Sequence, residues 1–345
     1  MSLVTIAEST PRRRAFWSGD HLDEVEALMR ALASGPRLDR VGTVLREHLQ
    51  TGGKRLRARL ALGAMEALGG PREAAIGWAA ACELLHNASL IHDDLQDGDR
   101  MRRGQPAAWA KHGEAQAINA GDLGLMLPYL ALREVPCTGE VKWELSECLA
   151  DHATRVVRGQ ADELDLLAMR RLSWPAYIRS VQGKTAALFA LPVAGAARIA
   201  GLRGDDARAL GEAFEPIGAL FQIQDDVLDL YGDKGRDQVG SDLAEGKVSA
   251  LVVEHLRLHP RDEAELVALL SAPRQATAAD AIDDMIARFR DGGALDGVWS
   301  RLRDIEDGVV HSPVLGAWPR LQAVAVELVA QAISPIAHTA PGLRR

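Results

Sequence analysis

The sequence predicts an all-α, single-domain helical bundle, and three observations lead there. Apolar residues recur at the three- and four-residue steps of a helix along nearly the whole chain, strand-like alternation with hairpin dipeptides is scarce, and short Gly/Pro-bearing breaks separate the periodic stretches. The first helix is expected to start at Asp20, a good N-cap, with Asp23 in its first turn. Leu22, Val25, Leu28, Met29 and Leu32 make its apolar stripe, and Gly35-Pro36 ends it. Further helices are expected at about 38–49, 55–68, 73–97, 115–133, 140–167, 174–200 and 205–231, then at 246–258, 261–271, 276–290, 294–308 and 316–333. The breaks fall at GGP 69–71, GQP 104–106, VPCTGE 135–140 and LRGDD 202–206. Residues 1–19 are expected to be a mobile N-terminal arm. Residues 20–345 contain nothing resembling a linker and are read as one all-α domain.

With 345 residues, 47% hydrophobic and 26% charged, the chain has the material for a globular core. A net charge of −8 and the lack of a basic stripe interleaved with aromatics argue against a general nucleic-acid binder. Cys82, Cys137 and Cys148 form no CxxC pair and leave one unmatched, which fits buried thiols in a reducing cytoplasm. No apolar run of transmembrane length escapes a charge, and the N-terminus lacks the apolar core of a secretory signal. A cytoplasmic protein is the expectation.

The chemistry concentrates in one repeated pattern. DDLQD at 93–97 and DDVLD at 225–229 are the only two Asp-Asp-x-x-Asp runs, and each closes an apolar helix. On a helix such spacing gathers Asp93, Asp94 and Asp97, and likewise Asp225, Asp226 and Asp229, on one face. Clustered like charges raise one another's pKa, and carboxylates near a helix C-terminus oppose its dipole, so a cation is needed among them. Oxygen-only ligands suit magnesium, which takes one or two carboxylates together with substrate phosphates; an EF-hand does not fit the spacing. Basic groups supply the complement. GGKRLRAR (52–59) sets Lys54, Arg55, Arg57 and Arg59 around a Gly-Gly turn at a helix start, Arg102 and Arg103 follow the first motif, and Lys184-Thr185 and Lys247 lie in QGKTA and EGKVS. Cations at a helix N-terminus form an anion site, so the set describes a pocket for phosphorylated ligands.

These motifs resemble those of the trans-type isoprenyl diphosphate synthases, the polyprenyl synthetases. GGKRLR 52–57, HNASLIHDDLQDGDRMRRG 86–104, AGD 120–122, GQ 159–160, GKTAALF 183–189, FQIQDDVLDLYGD 221–233 and GSDLAEGK 240–247 come in the family's order. The resemblance implies an all-α prenyltransferase of the isoprenoid synthase type, with a central prenyl pocket and usually homodimeric. It condenses isopentenyl diphosphate with an allylic diphosphate, using three Mg2+ ions bound with the diphosphate. It further implies that Asp93, Asp97 and Asp225 bind magnesium directly, with Asp94, Asp226 and Asp229 in support. Arg102, Lys184 and Lys247 match contacts to the allylic diphosphate, while Lys54, Arg57, His86 and Arg103 match the isopentenyl diphosphate site. Thr185 and Gln222 match residues that face the carbocation. His86 lies seven residues before Asp93, about two turns, and shares its face. Two positions depart from the family pattern: Gln238 replaces a lysine, with Lys234 and Arg236 nearby, and Glu163 replaces an aspartate.

Product length is expected to depend on the helix before the first motif. Ala88 and Ser89 lie one turn, about 5.4 Å, from Asp93; members that stop at fifteen carbons have an aromatic plug there, and two small residues point to longer products. Leu85, one turn deeper, would make a floor suited to twenty carbons, and Ala88→Phe is expected to shorten the chain. Products of C25 or longer, a farnesyl diphosphate synthase, a class I terpene cyclase, an HD-type phosphohydrolase and a non-catalytic subunit are the alternatives.

Overall fold

Helix α1 (Leu22–Ser34) runs into α2 (Arg40–Gln50), capped by Asp39, whose Oδ1 accepts the Gly42 N–H at 2.8 Å. These elements belong to a computed structural model that describes residues 21–37, 39–232, 239–273 and 277–342. The expected cap Asp20, the arm at 1–19, and Lys234, Arg236 and Gln238 therefore lie outside the described residues. Helices α3 (Leu56–Ala67) and α4 (Arg72–Gln96) follow; α4 is buried almost all round until its last turns, where the first aspartate motif emerges.

The expected break at 104–106 is a formed turn. Strands β1 (Met101–Arg102) and β2 (Gln105–Pro106) pair antiparallel around Arg103-Gly104, both with positive φ, at 52° and 75°. Two left-handed residues make the type I′ turn that suits a two-residue hairpin. Strands of two residues are too short to show alternation, which is why the sequence reads only as a break. Short α5 (Ala108–His112) leads into α6 (Glu114–Ala131), and α7 (Gly139–Ala168) crosses the molecule.

The expected helix 174–200 is three pieces: α8 (Trp174–Val181), a π-helical turn over Gln182–Ala186, and α9 (Ala187–Ile199). The π turn is where α7 comes closest. A Cβ on Gly159 would stand 2.5 Å from the Gly183 carbonyl carbon, and one on Gly183 would stand 2.7 Å from the Gly159 Cα. Two glycines thus let the backbones touch, and the wider turn aims Lys184 and Thr185 into the cavity described below. The expected helix 205–231 is likewise split, into α10 (Gly204–Glu212) and α11 (Glu215–Tyr231), because Pro216 has no N–H to donate to the Glu212 carbonyl and fits only the first turn of a new helix.

After α12 (Ser241–Ala244), residues 245–249 form a loop instead of the expected first turns of a helix. α13 (Ala250–Leu258) begins only where Ser249 caps it. Helices α14 (Glu263–Leu270), α15 (Ala279–Asp291), α16 (Ala294–Val310), α17 (Pro313–Gly316) and α18 (Pro319–Ile333) complete the bundle. Their buried apolar residues join those of α1 to α13 in one continuous cluster. By length and composition the stretch Pro319–Thr339 could cross a membrane, but Leu321, Val324, Ala325 and Leu328 are fully buried against the rest of the bundle. Helix α4 packs on α3 and α6, and α11 packs on α16, α18 and the π turn, so the two aspartate motifs descend opposite walls of one opening.

Candidate active site

That opening is a cavity of about 660 Å³ with a cationic end and a carboxylate end. The cationic end is built by the Gly52-Gly53 turn and the start of α3. Gly53, at φ 120°, has no Cβ where the Arg103 guanidinium lies, 2.5 Å from the place a Cβ would take; only glycine accepts both the φ and the contact. Arg103 also donates to the Gly52 carbonyl. Arg55 is the helix N-cap in the left-handed region, φ 50°, and its side chain turns away to Glu26 at 2.8 Å and to the Leu49 carbonyl.

Because Arg55 provides no side-chain cap, the start of α3 is satisfied from another helix: Glu83 of α4 accepts the Ala58 N–H at 3.1 Å and the Asn87 amide at 3.2 Å. Arg57 and His86 complete this end, and the buried Arg57 Nε and His86 Nδ1 have no hydrogen-bond partner among the described residues. Burial lowers the Arg57 guanidinium to about 10, with Glu83 opposing and Arg103 assisting. Burial, then the Arg57 and Arg103 charges, hold His86 well below the usual histidine range, so its imidazole is neutral. Unsatisfied buried nitrogens beside clustered guanidiniums are a cradle for an oxyanion.

At the carboxylate end Asp93 and Asp97 face Asp225 and Asp226 across the cavity. Lys184 reaches from the π turn to Asp93 at 3.7 Å and pairs with Glu163 of α7. Lys247 meets Asp97 at 2.9 Å and Glu245 at 3.0 Å. Burial opposes both ammonium charges, but the surrounding carboxylates outweigh it and hold both lysines above the ordinary lysine value. Asp93 is pushed up to about 6, first by burial and then by Glu163 and Asp97 working against Lys184.

A family profile described as polyprenyl synthetase matches residues 39–288. The chain belongs to the polyprenyl synthetase family. It is similar to a short chain isoprenyl diphosphate synthase of Methanothermobacter thermautotrophicus, 38% identical over 70% of this chain and 76% of the relative. It is also similar to a geranylgeranyl diphosphate synthase of Methanosarcina mazei, 31% identical over 82% of this chain and 87% of that one. Among solved structures, a polyprenyl synthetase from Streptomyces coelicolor superposes with a TM-score of 0.80 at 26% identity, covering 90% of this chain and 98% of that chain. The all-α fold and the prenyltransferase class follow.

In this polyprenyl synthetase the site residues read from the sequence divide into three groups. Lys54, Arg57, His86, Ser89, Asp93, Asp97, Arg102, Arg103, Lys184, Thr185, Gln222, Asp225, Asp226 and Lys247 all line the one cavity. Three aspartates grouped with the metal motifs, the cavity-lining Asp226 among them, bond to the protein's own groups. Asp94 is fully buried and bonded to Arg102, whose Nε donates at 2.7 Å. Asp229 accepts from Ser241 Oγ at 2.7 Å and from the Asp242 N–H at 2.9 Å. Asp226 accepts from Tyr177 Oη and the Ala250 N–H, both at 2.7 Å, and from Gln222 Nε2 at 3.1 Å. Each motif thus spends part of its charge fastening its own helix end to the next element.

In the third group, Ala88 and Leu85 of the expected tunnel wall are buried and are not among the residues lining this cavity. Ala88 is fully buried, and a Cβ on Gly124 of α6 would stand 2.9 Å from its Cβ. Ala88 thus faces the tight α4–α6 seam, while Ser89 and Leu90 of the same helix line the cavity.

Glu83 and Tyr177 were not singled out from the sequence. Glu83 leaves a signal, since a lone carboxylate inside AAACELLHN must find a partner when the helix is buried. Tyr177 leaves none.

The donor set fits magnesium. At the carboxylate end Asp93, Asp97, Asp225 and Asp226 bring carboxylate oxygens to the open space. Among the described residues, no three His, Cys, Asp or Glu side chains converge tightly enough to hold an ion alone. A cation that completes its shell with substrate phosphates suits such a site better than one caged by protein.

Proposed function

We propose that this enzyme condenses isopentenyl diphosphate head-to-tail with an allylic diphosphate and releases a C20 diphosphate as its main product. The observation that carries the reading is a single cavity with an unsatisfied cationic cradle at one end and two opposed aspartate motifs at the other, which suits two diphosphates held side by side. Lys54, Arg57, His86 and Arg103 hold isopentenyl diphosphate, with Arg57 Nε and His86 Nδ1 offering their free positions. Arg102, Lys184 and Lys247 hold the allylic diphosphate, and Asp93, Asp97 and Asp225 take magnesium, three ions in all, with Asp94, Asp226 and Asp229 in support. When bound, magnesium neutralises the charge that builds on the departing pyrophosphate.

The protein's own part is electrostatic. Lys184 and Lys247 stay protonated and stand ready for the same leaving group, while Thr185 and Gln222 present oxygen atoms to the allylic cation. The alkene of isopentenyl diphosphate attacks that cation, and loss of a proton, with the released pyrophosphate as base, restores a double bond. Apolar Leu90, Leu188, Phe221 and Leu228 line the remaining wall and keep water from the cation.

Small Ser89 at the cavity wall supports a product longer than C15, and relatives named geranylgeranyl diphosphate synthases support C20. Residues 20–345 act as one domain and pair into a homodimer. Ile118, Met126 and Leu130 of α6 and Trp143, Val157 and Leu164 of α7 are large exposed apolar side chains, and those on α7 fall within about 60° of one another. Incubation with labelled isopentenyl diphosphate, Mg2+ and C5, C10 or C15 allylic primers, followed by chromatography of the dephosphorylated products, tests the reading. The expected result is one C20 alcohol from every primer; a ladder beyond C25 overturns the product assignment, and cyclic hydrocarbon or no elongation overturns the reaction.

A further inference from the structure

Asp226 sits at the centre of a chain of hydrogen bonds in which every proton points the same way. Its Oδ2 accepts from Tyr177 Oη and from the Ala250 N–H, each at 2.7 Å, which leaves Oδ1 to accept from Gln222 Nε2 at 3.1 Å. That bond fixes the Gln222 amide so that its carbonyl Oε1 faces Thr185, whose hydroxyl donates to it at 3.0 Å. With its proton spent on Gln222, the Thr185 oxygen keeps its lone pairs for the cavity that both side chains line. Were the amide reversed, Gln222 would turn a partial positive charge toward the same space.

Tyr177 is buried on α8, edge-on to Trp174 with ring centroids 5.4 Å apart, and its hydroxyl is the only polar group it brings. Ala250 is the first residue of α13, where the helix has no use for the N–H.

We propose that Tyr177 and the Ala250 N–H are positioning groups for the prenyl transfer: by saturating one oxygen of Asp226 they make it orient Gln222 and Thr185 with oxygen lone pairs toward the allylic cation. The inference rests on the prenyltransferase reading above and assigns Asp226 an orienting task in place of direct metal binding. Positioned dipoles stabilise the cation only once it forms, so their loss slows the chemical step and leaves the binding of both diphosphates alone.

Two variants remove the two donors separately. Tyr177→Phe deletes the hydroxyl and keeps the ring on Trp174. Ala250→Pro deletes the N–H at a helix position where proline is tolerated, after a residue already extended at φ −92° and ψ 171°. The full-length enzyme is assayed by single-turnover condensation and by steady-state kinetics in both substrates and Mg2+. Each variant is expected to slow the single-turnover rate about tenfold, the worth of one hydrogen bond to a charged group, with both KM values and the Mg2+ half-saturation within about twofold of wild type. Adding Tyr177→Phe to Gln222→Ala is expected to cost less than about twofold more, because the two act through one chain.

Wild-type single-turnover rates in both variants overturn the inference. So does a shift in Mg2+ half-saturation, which would make Asp226 a metal contact, and so does a full multiplicative loss in the double variant. An inactive wild-type enzyme would defeat the prenyltransferase reading instead, so the two failures are told apart.

Discussion

Gly159→Ala probes the contact that aims Lys184 and Thr185. The new methyl would stand 2.5 Å from the Gly183 carbonyl carbon and 2.7 Å from the Gly183 Cα, both backbone atoms with no rotamer to yield. Carbon atoms rest at about 3.5–4.0 Å, so α7 and the π turn must part by roughly 1 Å. Overpacking of this kind costs about 1–3 kcal/mol, which for a chain of this size lowers Tm by roughly 1–4 °C. The functional cost is larger. A displacement of about 1 Å at reacting groups is worth about a hundredfold in rate, and both Lys184 and Thr185 ride on the displaced turn. The assay compares kcat well below the lowered Tm with the melting curve, using Gly139→Ala on the same helix as control, because nothing lies within 4 Å of a Cβ there. Gly139→Ala is expected to match wild type in both measurements. Wild-type kcat and Tm in Gly159→Ala would refute the claim that a glycine–glycine contact positions the turn.

Three further outcomes follow from the same geometry. Ser89→Phe is expected to shorten the main product to about C15, whereas Ala88→Phe, pressed into the Gly124 seam, is expected to cost about 1–3 kcal/mol of stability; product chromatography and urea unfolding separate them. Mg2+ alone is expected to leave Tm nearly unchanged and Mg2+ with inorganic diphosphate to raise it by several degrees, since no three described side chains cage an ion unaided. Burial, then the charges of Arg102 and Arg103, lower His48 to about 3, so between pH 6.5 and 3 the unfolded chain binds a proton that the folded one refuses. Stability thus falls with falling pH on its account by about 1.4 kcal/mol per unit, and His48→Gln is expected to remove that slope in unfolding titrations between pH 6 and 4.

Most of the bundle is legible in the sequence because helical periodicity and Gly/Pro breaks are local signals. The departures have two causes, a distant contact that overrides a local pattern and a turn too short to leave one. The 174–200 pattern is continuous, yet α7 presses a glycine against Gly183 and opens the helix into a π turn. The hairpin at 101–106 exists through two left-handed residues that no alternation announces.

At the site, the motifs mark which residues gather but not what each oxygen does. Asp94, Asp226 and Asp229 carry the same letters as Asp93 and Asp97, and only the fold shows that the former three bond to Arg102, Tyr177, Gln222, Ser241 and two backbone amides while the latter two meet Lys184 and Lys247. Ala88 and Ser89 are adjacent and equally small, yet the α4–α6 seam takes one and the cavity the other. Tyr177 is invisible in one sequence, because its partner lies 49 positions away.

The central claim is that the two aspartate motifs clamp one diphosphate through metal. Crystals grown with Mn2+ in place of magnesium and an unreactive thiolo analogue of an allylic diphosphate test it directly, because anomalous scattering locates each ion. The account predicts ions bridging the analogue to Asp93 and Asp97 on one wall and to Asp225 on the other, with Asp94 still on Arg102 and Asp226 still on Tyr177 and Gln222. Ions bound to only one motif, or held by Asp94 or Asp226, would contradict it.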